Sequence, residues 1–217
     1  MSRLPSCREL RQLAPCCLLW LLAATGPAHA VPSPANSRIP SHVLMVGRLG
    51  ALADTLPGAF TVVVHDFSDN PMPGRTVEFR VLNCEGVRLS MNALQPGVST
   101  RCDTHGITAI TDQHGEVRMC LVGGGTVGSA PGGGPCATVY AAGVVLGNVT
   151  VAYPDLDGIR GVAINDLALW LEDLGLAEPI SRSDFDGDGT VGVSDLSVWL
   201  DVWAGGGSAE SAPGYCP

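Results

Sequence analysis

Hydrophobic and polar residues alternate in short runs through the middle of the chain. In "RTVEFRVLN", Val77, Phe79 and Val81 fall on one side, and Glu78 and Arg80 on the other. "AFTVVVHDF" is β-branched and aromatic. "EVRMCLV" sets Val117, Met119 and Leu121 against Arg118 and Cys120, and "CATVYAA" sets Ala137, Val139 and Ala141 against Cys136, Thr138 and Tyr140. Successive side chains of a strand point to opposite faces, so each run predicts a strand with one buried face. Turn residues separate the runs: "NPMPG" at 70–74, "DQHG" at 112–115, and Gly143 between two apolar stretches. The Gly-rich tract at 123–135 reads as a flexible hairpin loop. Nothing between 43 and 152 repeats at helical spacing. Roughly six or seven short strands over this span predict an antiparallel β-sandwich.

After residue 152 the period changes. Leu196, Trp199, Leu200 and Trp203 recur at i, i+3, i+4 and i+7, which predicts a helix with those residues on its apolar stripe. The same arrangement occurs 29 residues earlier. "DLDGIRGVAINDLALWLEDLG" (155–175) aligns with "DFDGDGTVGVSDLSVWLDVWA" (184–204), and Leu167, Trp170 and Leu171 match Leu196, Trp199 and Leu200. The segment is an internal duplication of an acidic loop followed by a helix.

The acidic loops carry the candidate chemistry. Calcium takes six to eight hard oxygen ligands. A twelve-residue loop supplies them from positions 1, 3, 5 and 12, from a backbone carbonyl at 7, and often through a water at 9. Over 184–195 those positions hold Asp184, Asp186, Asp188, Asp195 and Thr190, with Gly189 at position 6 where the loop turns sharply. Asp195 could also cap the helix that follows. One Ca2+ is expected here. In the earlier copy Asp155, Asp157 and Asp166 occupy positions 1, 3 and 12, but Ile159 and Arg160 replace the carboxylate at 5 and the glycine at 6. This second, weaker site is not expected to bind an ion. Arg160 either turns inward and neutralises Asp155 and Asp157, or points to water.

Charge and composition narrow the partners. The formal charge is −9, which argues against nucleic acid and anionic membrane surfaces. All twelve basic residues are Arg, which excludes lysine chemistry. Residues 1–30 read as a secretory signal: Arg3, Arg8 and Arg11, then the apolar "LAPCCLLWLLAATG", then "AHA" ending at Ala30. The apolar run is too short to span a bilayer, and no membrane span is expected after its removal. The chain is therefore expected to be secreted or held at the cell surface. Cys84, Cys102, Cys120, Cys136 and Cys216 remain, without CxxC spacing, so disulfides are expected rather than zinc. The preferred pairs are Cys84–Cys102 and Cys120–Cys136, the latter because both cysteines alternate away from the core side of neighbouring strands. Cys216 is then free or intermolecular.

"VVVHDFSDNPMPGRTVEFRV", "ITAITDQHGEVRMCLVGGG" and "VTVAY" resemble the bacterial Ig-like repeats of the invasin and intimin type. Met72 stands at the family's usual Val, and the Cys-containing insert 83–106 is a further departure. The duplicated loop–helix segment resembles a dockerin domain. Together these resemblances imply an all-β Ig-like sandwich over 43–152, after a Pro/Ser lead-in at 31–42. A small all-α dockerin-like module with EF-hand-type loops follows over 153–204, with a Gly/Ser-rich tail over 205–217. The dockerin resemblance implies a cohesin-like or cell-surface protein partner. The Ser/Thr pair that cellulosomal dockerins use at loop positions 10 and 11 is replaced by Val193–Ser194 and Ile164–Asn165, so that contact surface is missing.

No nucleophile elbow, HExxH or phosphate-binding loop occurs, and His105 and His114 precede glycines in turn contexts. The chain is not expected to be an enzyme. The expected role is an exported, calcium-binding structural, adhesion or assembly protein. The alternative is a carbohydrate-binding or hydrolytic sandwich carrying a dockerin-like anchor.

Overall fold

A computed structural model describes residues 30–125, 134–159, 161–176, 182–204 and 214–217. In chain order the elements are β1 (His42–Val46), β2 (Arg48–Leu49), β3 (Leu52–Ala53), α1 (Thr55–Gly58), β4 (Ala59–Val63), β5 (Thr76–Arg80), β6 (Val87–Leu89) and β7 (Ser99–Arg101). A 3-10 turn at Cys102–Thr104 follows. Then come β8 (Gly106–Ile110), β9 (Glu116–Gly125), β10 (Ala137–Ala141), β11 (Val144–Ala152), α2 (Ile164–Leu174) and α3 (Val193–Ala204). The expected signal sequence before Ala30 lies outside the described residues, as do 126–133 of the Gly-rich tract and 205–213 of the tail.

The alternating runs form strands where they were expected. Val77 and Phe79 are buried on β5 while Glu78 and Arg80 face outward, and Glu78 accepts a bond from Arg80 at 2.6 Å. Nine strands join in the order β4-β9-β1-β11-β10-β5-β8-β7, with β6 also on β9. β1 links the two halves of this path. His42–Leu44 pair in parallel with β11, and Met45–Val46 pair in parallel with β9. The path folds back on itself, because Phe60 of β4 meets Phe79 of β5 with ring centroids 5.1 Å apart. Two β layers thus face one core, as in a β-sandwich, but the parallel pairs of β1 make it mixed rather than the antiparallel sandwich expected. Ser33, in the Pro/Ser lead-in, donates its backbone N–H to the carbonyl of His65, and Arg38 bridges to Val63, so the lead-in lies along the β4 side.

The expected separate all-α module is absent. Residues Val31–Pro217 form one compact unit, mostly β, with two helices longer than a single turn among the described residues. Tyr153, Leu156, Trp170, Phe185, Trp199 and Val202 belong to the same hydrophobic core as the strands. The physical reason lies in the helices. α2 fully buries one apolar side chain, Trp170, and α3 two, Trp199 and Val202. Three fully buried side chains are few for a separate core, and in this chain they belong to one buried cluster with those of the strands. The buried stripe also differs from the expected one. On α3 it is Asp195, Trp199 and Val202, whereas Leu200 is 42% and Trp203 53% exposed. Trp203 stacks on Trp199, ring centroids 5.6 Å apart. No described helix is long and apolar enough to cross a membrane.

The cysteine pairing is corrected as well. The disulfides are Cys84–Cys136 and Cys102–Cys216, and Cys120 is free. Alternation misplaces Cys120 because β9 is flanked on both edges and covered on both faces from Met119 onward. The Gln95 side chain, from the insert, accepts the Cys120 N–H at 2.8 Å and donates to its carbonyl at 2.7 Å. Burial pushes the Cys120 thiol up to about 11, which leaves it a core residue with little thiolate character. The two bridges instead staple the insert at both ends: Cys84 to the start of β10, and Cys102 to the chain terminus. That terminus is held in place, since Cys216 donates to the Leu89 carbonyl at 2.8 Å and Tyr215 stacks under Arg88.

Part of the Gly-rich tract is strand rather than flexible loop. Gly123–Gly125 complete β9 and pair with β6. A Cβ at Gly124 would lie 2.7 Å from Asp155 Oδ2, and Gly125 donates its N–H to the Asp155 carbonyl at 2.8 Å. Glycine here lets the first acidic loop lie directly against the sheet.

Candidate metal centre

Both acidic loops close on the carboxylate at position 12. In the second loop Asp195 Oδ1 accepts the N–H groups of Phe185 (2.6 Å) and Asp186 (3.1 Å), and Oδ2 accepts that of Gly192 (2.7 Å). In the first loop Asp166 Oδ1 accepts the N–H of Asp157 (3.0 Å) and Oδ2 that of Ala163 (2.7 Å). Ala163 and Gly192, and Asp157 and Asp186, are equivalent positions of the duplication, so the repeat is preserved in hydrogen bonds as well as in sequence. A carboxylate in the first helical turn, bonded to free amides, ties each loop to its helix and fixes which helix face turns inward. This explains why the buried stripe runs through Asp195, with Leu196 partly buried against the core beside it.

Three acids lie close together in each loop. Asp184, Asp186 and Asp188 each offer an oxygen within 4.8 Å of the others, and so do Asp155, Asp157 and Asp166. Two acidic clusters could therefore hold a metal ion. In the second loop Asp184 also accepts the Gly187 and Gly189 N–H groups (2.8 and 3.0 Å), and Asp188 accepts the Thr190 N–H and hydroxyl (2.8 and 2.7 Å). These Thr190 bonds hold the Asp188 carboxyl below the usual range. Gly189 has φ +90°, as the sharp turn at position 6 requires. Of the five expected ligands, three carboxylates are gathered. Asp195 is not in that cluster and bonds the loop amides, as Asp166 does in the first loop; Thr190, expected to offer its backbone carbonyl, bonds Asp188 through its side chain.

The first loop gathers all three of its acids, although its sequence is the more degenerate. Asp155 is 3% exposed, and neither of its carboxylate oxygens has a hydrogen-bond partner. The nearby amides of Gly158 and Ile159 offset part of the burial cost. That of Ile159, however, is already committed to Asp157 at 2.7 Å. Burial, then the charges of Asp166 and Asp157, push the Asp155 carboxyl up to about 7. Burial also raises Asp166 and Asp195. Buried, unpaired carboxylates are costly unless a cation or a proton neutralises them. Arg160, the residue expected either to neutralise this loop or to face water, lies outside the described residues.

Two features escaped the sequence reading. Asp173 of α2 accepts two bonds from Arg182, both at 2.8 Å, and a third from the Ser183 hydroxyl. This buried pair links the end of α2 to the entry of the second loop. His42 packs on Gly187, where a Cβ would lie 2.6 Å from its Cγ. Burial lowers the His42 pKa against the pull of Asp184, Asp186 and Asp195. No motif announced either contact, because both depend on elements distant along the chain.

A pH dependence follows from Asp155. Its folded-state pKa is raised, so the folded chain binds a proton that the unfolded chain has released above its ordinary value near 4. Without a cation, stability is highest while the carboxyl is protonated and falls as pH rises through about 7. His42 acts oppositely, mostly below its unfolded value of 6.5, while Asp166 and Asp195 act in the same direction as Asp155, so the comparison with Asp155→Asn between pH 6.5 and 8 assigns the share of Asp155. Urea midpoints in chelator are expected to fall across that span, and Asp155→Asn is expected to flatten the slope.

Comparison with protein-family models, curated proteins and solved structures found no match.

Proposed function

We propose that the protein is an exported, non-enzymatic structural or assembly component whose two acidic loops bind Ca2+. The observation that carries this reading is the orphaned carboxylate of Asp155, buried beside Asp157 and Asp166 with no hydrogen bond to either oxygen. Carboxylate-only clusters favour hard, oxygen-seeking cations, and the loop spacing of 184–195 is that of a calcium loop. The sequence pointed to one ion. The gathered geometry of the first loop supports a second, held by Asp155, Asp157 and Asp166, beside the first at Asp184, Asp186 and Asp188. Two disulfides fit an oxidising destination.

Calorimetric titration with calcium tests the reading. Two ions per chain are expected, one for Asp155→Asn and one for Asp184→Asn. Absence of binding, or a stoichiometry that neither substitution changes, would overturn it.

A further inference from the structure

A pocket of about 350 Å³ opens between β1, the α1–β4 corner, the second acidic loop and α3. That volume lies within the roughly 300–1,000 Å³ of small-ligand sites. Pro57, Phe60 and Phe185 give it apolar walls. Asp186 and Asp201 bring two carboxylates to it, and no Arg lines it. His42 also lines it and carries a buried Nε2 without a hydrogen-bond partner, which leaves one hydrogen-bonding position open beside the wall.

We infer that this pocket receives an arginine side chain presented by a partner protein. The walls match the two ends of that side chain. Its aliphatic stem covers apolar surface, and its planar guanidinium stacks on aromatic rings and bonds carboxylates with several N–H groups. An anionic group would face Asp201, and in chelator Asp186 as well, with no cationic side chain lining the pocket. The charge of the whole chain agrees, with 21 acidic against 12 basic residues favouring a basic partner. Asp201 is the decisive pairing group. It stands on α3 outside the acidic loop and serves no other bond described above, whereas Asp186 is shared with the candidate ion site. The inference does not depend on calcium.

The test uses the full chain in chelator, with N-acetyl-arginine methylamide as probe and N-acetyl-norleucine methylamide as its uncharged counterpart. Amide resonances of Leu44, Gly58 and Val198, which border the pocket, report binding. The arginine probe is expected to shift them in a saturable way. About tenfold weaker binding is expected for the norleucine probe, and for the arginine probe on Asp201→Asn. Asp201→Glu should restore most of the affinity. Asp201 is exposed, so the fold should persist, and an unchanged melting temperature checks that. Shifts of equal size with both probes, no loss on Asp201→Asn, or no shifts at these amides would overturn the inference. None of these outcomes bears on the calorimetric count of calcium ions, so the two proposals fail separately.

Discussion

Asp173→Ala is expected to destabilise the protein by about 3–5 kcal/mol, the cost of breaking a buried ion pair from one side. The change removes the acceptor of both 2.8 Å bonds from Arg182 and leaves a guanidinium in a site where its side chain is only 10% exposed. It also removes the acceptor of the Ser183 hydroxyl. The effect should reach beyond the pair, because the Arg182 carbonyl accepts the N–H of Tyr153, which continues from β11 into the first acidic loop. Arg182→Ala should cost a similar amount by stranding the carboxylate. Asp173→Leu combined with Arg182→Met should recover much of the loss, since an apolar pair of similar volume leaves no unpaired charge. Urea unfolding at neutral pH reads all four chains. A loss below about 1 kcal/mol for either single substitution would show that the pair behaves as a surface ion pair.

Local chemistry was legible in the sequence. The alternation of Val77 and Phe79 against Glu78 and Arg80 gave β5 its buried face, and the 70–74 and Gly143 turns fell between strands. The acidic loops were legible because their spacing, turn glycine and following helix all lie within about a dozen residues. What failed depended on residues far away. Cys120 alternated outward on paper but is buried, because the insert brings Gln95 across it. Cys102 pairs with Cys216 at a sequence separation of 114, which no local pattern could select among five cysteines. The helix stripe was misassigned because Leu200 and Trp203 look like core by hydropathy. The carboxylates of Asp166 and Asp195, bonded to loop amides, instead decide which face turns inward. At the first loop the sequence and the fold point in different directions. Its missing position-5 carboxylate suggested an empty loop, yet the fold gathers Asp155, Asp157 and Asp166 against the glycines of β9. The same logic explains why the expected all-α module does not exist. Duplication signals two similar units, but it does not say that they pack on each other.

Calcium in both loops, as proposed, would stabilise one continuous core and not an independent helical domain. Thermal unfolding of the full chain in saturating calcium and in chelator tests it most directly, followed by far-ultraviolet circular dichroism for the strands and by tryptophan fluorescence for Trp170 and Trp199. At free calcium one hundred times the dissociation constant each ion adds about 2.7 kcal/mol. For two ions in a unit of this size, that corresponds to roughly 10–20 °C in melting temperature. Both signals are expected to move together by that amount, because the two tryptophans share the core of the strands. A melt that calcium leaves unchanged, or a tryptophan transition that moves while the strand transition stays where it was, would contradict the account.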